Sequence, residues 1–313
     1  MHMRKSFYAN ESSRRKAEQL TYSGHRYCLG NCLGRGGMDG VTAMVQVGRH
    51  RLETTVFGSG EPAVVVEPSL GGYAAAWRNI AKAIAQDTTV VTYNRAPYGA
   101  SSPARDGRRP REIADDLDGV LKALGVAGPL VLVGHSIGGI YLRTYAALHM
   151  ERIAGMVLVE SSHETQRKII PKYLSPRDRV LAALTIPQMI VRSREWRGGG
   201  DRWSCVTEFR MFKRLSAADQ ALACGGLGER PLIVLTRGPV SETRPGRLWL
   251  GWHELQQDLA RLSANSRHVV SESSEHYLND GDPVLVTSAI CEVVRSARTG
   301  VPLGAPAATS DGE

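Results

Sequence analysis

The sequence lacks the features of membrane and secreted proteins. None of its 313 residues lies in an apolar run of about 18 or more, the length that a membrane-spanning helix needs. The N-terminus also lacks the apolar stretch of about 7–15 residues found in a secretory signal peptide. There are five cysteines, an odd number, and Cys205, Cys224 and Cys291 lie far apart, which argues against a disulfide framework. We therefore expect a soluble cytoplasmic protein without a membrane partner.

Positive charge is present but is not organised as a nucleic-acid-binding surface. The net charge is +8, and about half of it lies in residues 1–40, which contain seven Lys and Arg and three acidic residues. The rest is spread without a basic stripe or interleaved aromatic residues, which make up only 6% of the chain. We expect no nucleic-acid partner. An interaction arm in the basic N-terminal segment stays open as an alternative.

No metal or cofactor site is expected from the sequence. His25, Cys28 and Cys32 are close together, but they supply only three ligands, and their spacing matches no standard zinc site. An unstructured segment explains them better. The sequence therefore predicts neither a metal nor a cofactor, and it gives no indication of the oligomeric state.

Apolar segments divide the chain into an α/β core and several additions. Continuous Val- and Leu-rich strands alternate with amphipathic helices, which is typical of a mostly parallel sheet covered on both faces. We assign the core to residues 43–160 and 229–298. Residues 161–228 are more charged and are interpreted as a helical cap or lid. Residues 1–42 are expected to be a disordered or loosely ordered extension, and residues 299–313 a flexible tail.

Ser136 lies in a Gly-x-Ser-x-Gly motif with the context that a nucleophile requires. The apolar strand 130–133 runs into Gly134, and a helical pattern begins after Gly138. Such a tight strand-to-helix turn presents the serine hydroxyl at the carboxyl edge of the sheet, near a helix N-terminus that favours negative charge. We therefore predict that Ser136 is a nucleophile for acyl transfer.

Together with this motif, three other segments resemble the α/β-hydrolase fold family. Residues 64–72 (VVVEPSLGG) are similar to the family's oxyanion loop, in a variant with Glu in place of the common His-Gly pair. Residues 93–101 (YNRAPYGAS) resemble its turn after the next strand, with Asn94 for Asp and Pro97 for Gly. Residues 274–277 (SEHY) resemble the segment of its catalytic histidine. The resemblance covers about residues 44–160 and 229–298.

His276 is the predicted general base. A serine hydroxyl needs an imidazole to accept its proton, and His276 follows the last apolar strand by a short polar loop, at the same sheet edge as Ser136. His135, inside the motif, is expected to point away from the nucleophile and to be structural. His163 stands just past a strand end, where contact with substrate, orientation of the lid and no role all stay open.

The acid that orients His276 has two candidates. In most relatives it follows the strand after the lid, but here that strand is followed by residues 237–241 (RGPVS), without a carboxylate until Glu242. Glu160 closes the strand after the nucleophile helix, the second position at which the family carries its acid. We favour Glu160 over Glu242, while a lid-anchoring role for Glu160 stays open.

The resemblance also implies an oxyanion hole made by the backbone amides of Ile137 and Leu70. Glu67 is interpreted as a buttress of the Leu70 loop rather than as a catalytic group. In the predicted lid, several large apolar side chains are candidates for an acyl pocket or for the lid's own packing: Met189, Trp196, Trp203 and Met211.

The sequence thus predicts a serine hydrolase for a small to medium, largely apolar ester, thioester or lactone, acting through an acyl-enzyme intermediate. The partner is then a small-molecule acyl substrate. Two alternatives stay open: a non-hydrolytic acyl transferase or cyclase using the same three residues, and a catalytically weak hydrolase-fold binding protein.

Overall fold

The computed structural model describes residues 36–104, 108–180, 202–212, 225–239, 244–273 and 275–304, together with Leu215 and Asp219. Several residues considered above lie outside this set, namely His25, Cys28, Cys32, Met189, Trp196 and Glu242, and the side chain of Trp203 is likewise not described.

Eight strands form one sheet. They are β1 Gly36–Val47, β2 His50–Gly58, β3 Ala63–Glu67, β4 Val90–Tyr93, β5 Leu130–His135, β6 Ile153–Val159, β7 Leu232–Thr236 and β8 Ser266–Val270. Their order across the sheet is β1-β2-β4-β3-β5-β6-β7-β8. The apolar segments 44–47 and 52–57 predict a hairpin. It is confirmed as the antiparallel pair β1 and β2, and β3 to β8 run parallel to one another.

Helices cover the sheet on both sides. They are α1 Arg78–Ile84, α2 Pro110–Ala123, α3 Gly138–Leu148, α4 Gln166–Ile169, α5 Arg202–Phe212, α6 Arg244–Ala260, α7 Leu278–Gly281 and α8 Pro283–Thr299. Short 3-10 segments occur at Ala74–Trp77, Met150–Arg152 and Ile170–Tyr173. Within the described ranges, no helix combines the length and apolar character needed to cross a membrane.

The core has two layers because the central strands are buried on both faces. Every residue of β3, β4 and β5 is buried. On one face, Leu117 of α2 and Leu142 of α3 pack against the sheet. On the other, Ile80 of α1 and Ile290 of α8 do so. Burying one aliphatic side chain stabilises the folded state by about 1.5–3 kcal/mol, so both layers stabilise the sheet. The predicted doubly covered sheet is confirmed.

Three predicted boundaries need correction. The first strand begins at Gly36, before the core predicted to start at residue 43: Gly36 pairs with Gly58 and, after a register shift, residues 41–47 pair continuously with β2. The core resumes before residue 229, since the Leu227 amide donates to the Leu262 carbonyl at 2.6 Å. The flexible tail does not begin at residue 299: the Leu303 amide donates to Asn265 Oδ1 at 2.9 Å, and the Leu303 side chain packs on the core.

One helix is longer than expected. The pattern of residues 252–262 predicts a helix there, whereas α6 spans Arg244–Ala260. Pro245 is compatible with the first turn of a helix, where its missing N–H has no intrahelical role. The additional turns carry Trp249 to the sheet edge, where its indole N–H donates to the Arg237 carbonyl at 3.1 Å.

Candidate active site

Ser136 lies in a tight turn between β5 and α3. Its φ angle is +55°, in the left-handed region that non-glycine residues rarely adopt. The surrounding backbone fixes this conformation: the Ser136 amide donates to the Val159 carbonyl at 3.0 Å, and the Ser136 carbonyl accepts from the Ser162 amide at 2.8 Å. The neighbouring strand β6 and the segment that follows it therefore hold the strained turn that presents this serine.

The flanking glycines are required by close approaches of the backbone. A Cβ atom at Gly138 would lie 2.3 Å from the Glu67 carbonyl oxygen, and one at Gly134 would lie 2.6 Å from the Gly139 Cα. Neither distance is compatible with a side chain. The start of α3 can thus lie directly against the end of β3, which places Ser136 beside the loop that follows β3.

His276 connects Ser136 to Glu160. It lies in the loop after β8, where its Nε2 is 3.2 Å from Ser136 Oγ and its Nδ1 is 2.9 Å from Glu160 Oε2. Since a carboxylate only accepts hydrogen bonds, Nδ1 carries the proton, and the Nε2 lone pair faces the serine hydroxyl. The structure therefore brings together the three side chains predicted as nucleophile, base and acid.

Glu160 is completely buried directly after β6, with 0% of its surface exposed. Its Oε1 accepts two hydrogen bonds, from the Arg237 amide at 2.9 Å and from the Trp252 indole N–H at 3.0 Å. The Arg237 Nε is 3.6 Å from Oε2, within ion-pair distance but without a hydrogen bond. Thus β7, whose end has no carboxylate of its own, contributes a backbone N–H that orients the carboxylate of β6.

His135 supports the loop that carries His276. Only 1% of its surface is exposed, and its Nε2 is 3.0 Å from the His276 carbonyl oxygen. Burial and the neighbouring His276 lower the pKa of His135 to about 3, so the ring is neutral near pH 7 and donates to that carbonyl. This agrees with the structural role expected for it.

The two predicted oxyanion residues lie beside the turn. Ile137 follows Ser136 directly, and its buried side chain packs with Ile113 and Tyr141, against which Leu70 also lies. Within the described part of the chain, neither the Ile137 nor the Leu70 amide donates a hydrogen bond to another protein group. Both amides are thus candidates to bind a substrate oxygen.

Comparisons with known proteins identify the fold family of the chain. The sequence model of the alpha/beta hydrolase fold family matches residues 62–221, just over half of the chain. The chain belongs to the α/β-hydrolase fold family. The uncharacterized protein YqjL of Bacillus subtilis strain 168 is 26% identical over 239 residues, covering 75% of this chain and 85% of YqjL. The probable transporter efuK of Hormonema carpetanum is 33% identical over 129 residues, covering 39% of this chain and 18% of efuK.

A solved structure shows the same α/β-hydrolase fold. A thermophilic esterase from Thermogutta terrifontis superposes with a TM-score of 0.59 at 21% identity, covering 83% of this chain and 99% of the esterase. At this level of identity the likeness establishes the fold alone.

This α/β hydrolase also contains a buried polar network that the sequence did not indicate. Arg95, in the turn after β4, is 3% exposed and forms ion pairs with Glu67 at the end of β3 and with Glu208 of α5. Glu208 also accepts hydrogen bonds from the Tyr98 and Tyr141 hydroxyls. Burial and the charge of Glu208 raise the pKa of both tyrosines, so they remain protonated donors. The sequence indicated only one member of this network, Glu67, which was interpreted as a buttress of the Leu70 loop.

The unusual Asn94 of this family member has a defined place. Its Oδ1 accepts from the Ala74 amide at 2.7 Å, and its Nδ2 donates to Glu53 Oε2 at 2.6 Å. An aspartate would repel Glu53, whereas the amide serves both partners. Asn94 thereby links β2 to the segment after the Leu70 loop.

His163 lies at the start of the predicted cap, where it is hydrogen-bonded to its neighbours. Its Nδ1 accepts from the Thr165 amide at 3.0 Å, and its Nε2 is 3.1 Å from Asp258 Oδ2 on α6. Burial lowers the pKa of His163, which favours the neutral ring that this pattern needs. Of the roles left open for His163, these contacts favour orientation of the lid, because they attach the segment before α4 to α6.

Proposed function

We propose that the protein is a serine hydrolase that cleaves small to medium, largely apolar esters, thioesters or lactones through an acyl-enzyme intermediate. The observation that carries the proposal is the continuous hydrogen-bonded series from Ser136 through His276 to Glu160. Its order and polarity are those needed to activate a serine hydroxyl.

In the proposed first step, Ser136 Oγ attacks the acyl carbonyl carbon while its proton passes to His276 Nε2. The imidazolium that forms is stabilised by the Glu160 carboxylate, which is buried and already hydrogen-bonded to Nδ1. The carbonyl oxygen becomes an oxyanion that the amides of Ile137 and Leu70 are proposed to bind. Collapse of this intermediate breaks the bond to the leaving group, which takes the proton from His276.

In the second step, water attacks the acyl-enzyme with His276 as base, and the acid product leaves with Ser136 regenerated. Two features support this reaction class. The His276 side chain is 30% exposed, so water can reach it. The side chains packed next to the nucleophile, those of the buried Ile113 and Ile137 and the partly buried Leu70, are apolar, which is compatible with an apolar acyl group.

A series of p-nitrophenyl esters with acyl chains of increasing length tests the proposal. We expect hydrolysis of at least one ester by the wild-type protein, with a chain-length optimum, and loss of turnover in Ser136→Ala. Residual activity in Ser136→Ala equal to that of the wild type would contradict the proposal, as would no turnover of any ester by folded wild-type protein. Adding an alcohol acceptor and identifying the products separates hydrolysis from acyl transfer.

A further inference from the structure

The buried guanidinium of Arg95 binds two backbone carbonyls of the predicted oxyanion loop, residues 68–72. Arg95 Nη1 donates to the Pro68 carbonyl at 2.9 Å, and Nη2 donates to the Ser69 carbonyl at 2.8 Å. These are consecutive peptide groups in the loop that follows β3. A guanidinium is suited to such a task because its donors form a rigid planar fork.

The Ser69 carbonyl and the Leu70 N–H belong to the same peptide group. A trans peptide is planar, and its C=O and N–H point in opposite directions, so an anchor on the carbonyl oxygen also sets the direction of the N–H. A positively charged donor bound to that oxygen further polarises the peptide group, which makes its N–H a stronger hydrogen-bond donor. We propose that Arg95 is a positioning residue that aims the Leu70 N–H at the substrate oxyanion, and that Glu208 on α5 holds Arg95 in place.

Glu208 contacts Arg95 on the side away from Glu67. Its Oε1 is 3.0 Å from Arg95 Nη2, the same nitrogen that contacts the Ser69 carbonyl. The rings of Tyr98 and Tyr141 flank the guanidinium, with their centroids 5.4 and 5.2 Å from its central carbon. The arginine is thus fixed by charge at both ends and by aromatic rings at its sides.

Helix α5 also contacts the loop directly. A Cβ atom at Gly71 would lie 3.2 Å from Cys205 Sγ, so the helix packs closely against the residue after Leu70. Since α5 belongs to the predicted cap, the cap contributes to the geometry of the oxyanion hole and not only to the covering of the site. A substrate that displaces α5 would therefore change the rate of the chemical step.

This inference rests on the proposed function, and its test compares two arginines in similar surroundings. Arg95→Lys keeps the charge but removes the fork. Arg152→Lys is the matched control, because Arg152 also binds a carboxylate and two carbonyls, those of Val126 and Ala127, at the opposite end of β6. The readouts are kcat and KM for the best p-nitrophenyl ester and the Ki of an alkyl boronic acid, whose tetrahedral adduct with Ser136 mimics the oxyanion intermediate.

For Arg95→Lys we expect kcat to fall about 100-fold with KM changed less than about threefold, and the boronic acid Ki to rise in parallel with the loss of kcat. Arg152→Lys should leave all three within about twofold. Glu208→Gln, which keeps the shape of the side chain, should lower kcat about tenfold with the same parallel change in Ki, and it decides the matter if Arg95→Lys does not fold.

Unchanged kcat and Ki in folded Arg95→Lys, or in folded Glu208→Gln, would overturn the inference. A fall in kcat without any change in Ki would also overturn it. The inference requires that kcat falls because the oxyanion is bound less well, and the boronic acid Ki measures that binding. Failure of the proposed function gives a different result, namely no ester turnover by the wild-type protein itself.

Discussion

Glu67 and Glu160 occupy similar places in the fold but have different surroundings. Glu67 ends β3 and Glu160 directly follows β6, both at the carboxyl edge of the sheet, and both are 0% exposed. The Arg95 guanidinium forms an ion pair with Glu67, and the Tyr93 hydroxyl donates a hydrogen bond to it. Glu160 accepts hydrogen bonds from a backbone amide, an indole N–H and the His276 imidazole. Burying a charge is costly unless it is paired, and the two sites meet that cost with different partners.

The difference indicates how one sheet edge supports two tasks. The charge of Glu67 is already compensated, so it stabilises a loop. Glu160 has no hydrogen-bonded cation among the described residues, the Arg237 Nε lying 3.6 Å away, and its negative charge is available to the imidazolium that we propose forms on His276. On this comparison, changes at Glu160 should affect the reaction most, and changes at Glu67 should affect folding most.

The largest expected effect is on turnover in Glu160→Gln. An amide cannot stabilise the imidazolium and no longer enforces the tautomer with the proton on Nδ1, so kcat for the best ester should fall about ten-thousand-fold. Circular dichroism should show an unchanged fold. Glu242→Gln, which alters the competing acid candidate, is the control and should have little effect. The reverse ranking of the two variants would show that Glu160 is not the acid.

Glu67→Gln should act mainly on stability. Removing one partner of a buried ion pair leaves Arg95 partly uncompensated, so the free energy of unfolding in urea should fall by about 3 kcal/mol. The kcat should fall much less than in Glu160→Gln, because Glu208 and the two carbonyls still hold Arg95. A variant as stable as the wild type would remove the contrast between the two glutamates.

A smaller effect is expected when one donor to Glu160 is removed. Trp252→Phe keeps the ring in α6 but loses the N–H, and kcat should fall about tenfold, as expected for a hydrogen bond to a charged group. Trp249→Phe is the matched control, because its indole N–H donates to a backbone carbonyl rather than to the carboxylate. Equal losses in the two variants would mean that the Trp252 bond has no special role in orienting Glu160.

The smallest effect near neutral pH concerns His135, which stays neutral next to His276. Its pKa of about 3 in the folded protein lies below the value of about 6.5 expected for an unfolded chain. Between these values the unfolded state binds the proton and the folded state does not, so stability falls as the pH falls. His135→Asn should flatten this dependence by up to about 1.4 kcal/mol per pH unit in urea titrations between pH 6.5 and 4. Identical slopes would contradict the assignment of a neutral, buried ring.

Much of the fold could be predicted because its signals are local. Apolar runs mark the central strands, and the glycines around Ser136 mark the turn. The pairing of Glu160 with His276 could be anticipated because both residues follow strands of one parallel sheet, and those strands end at the same edge. The catalytic roles of these residues stay predictions.

Other features depend on contacts between distant segments. The Arg95 network joins residues of β3, the turn after β4 and helix α5, and neither periodicity nor spacing relates Arg95 to Glu208. The early start of β1 also depends on pairing with β2, since residues 36–42 have no sustained apolar pattern of their own. Such contacts form only once the sheet brings the segments together.

Mass spectrometry of a fluorophosphonate adduct tests the central claim most directly. Wild-type protein should gain one probe per chain on the peptide that contains Ser136, Ser136→Ala should gain none, and Glu160→Gln should react far more slowly while remaining folded. Absence of an adduct in folded wild-type protein, or an adduct on a different residue, would contradict the account of Ser136 as the nucleophile.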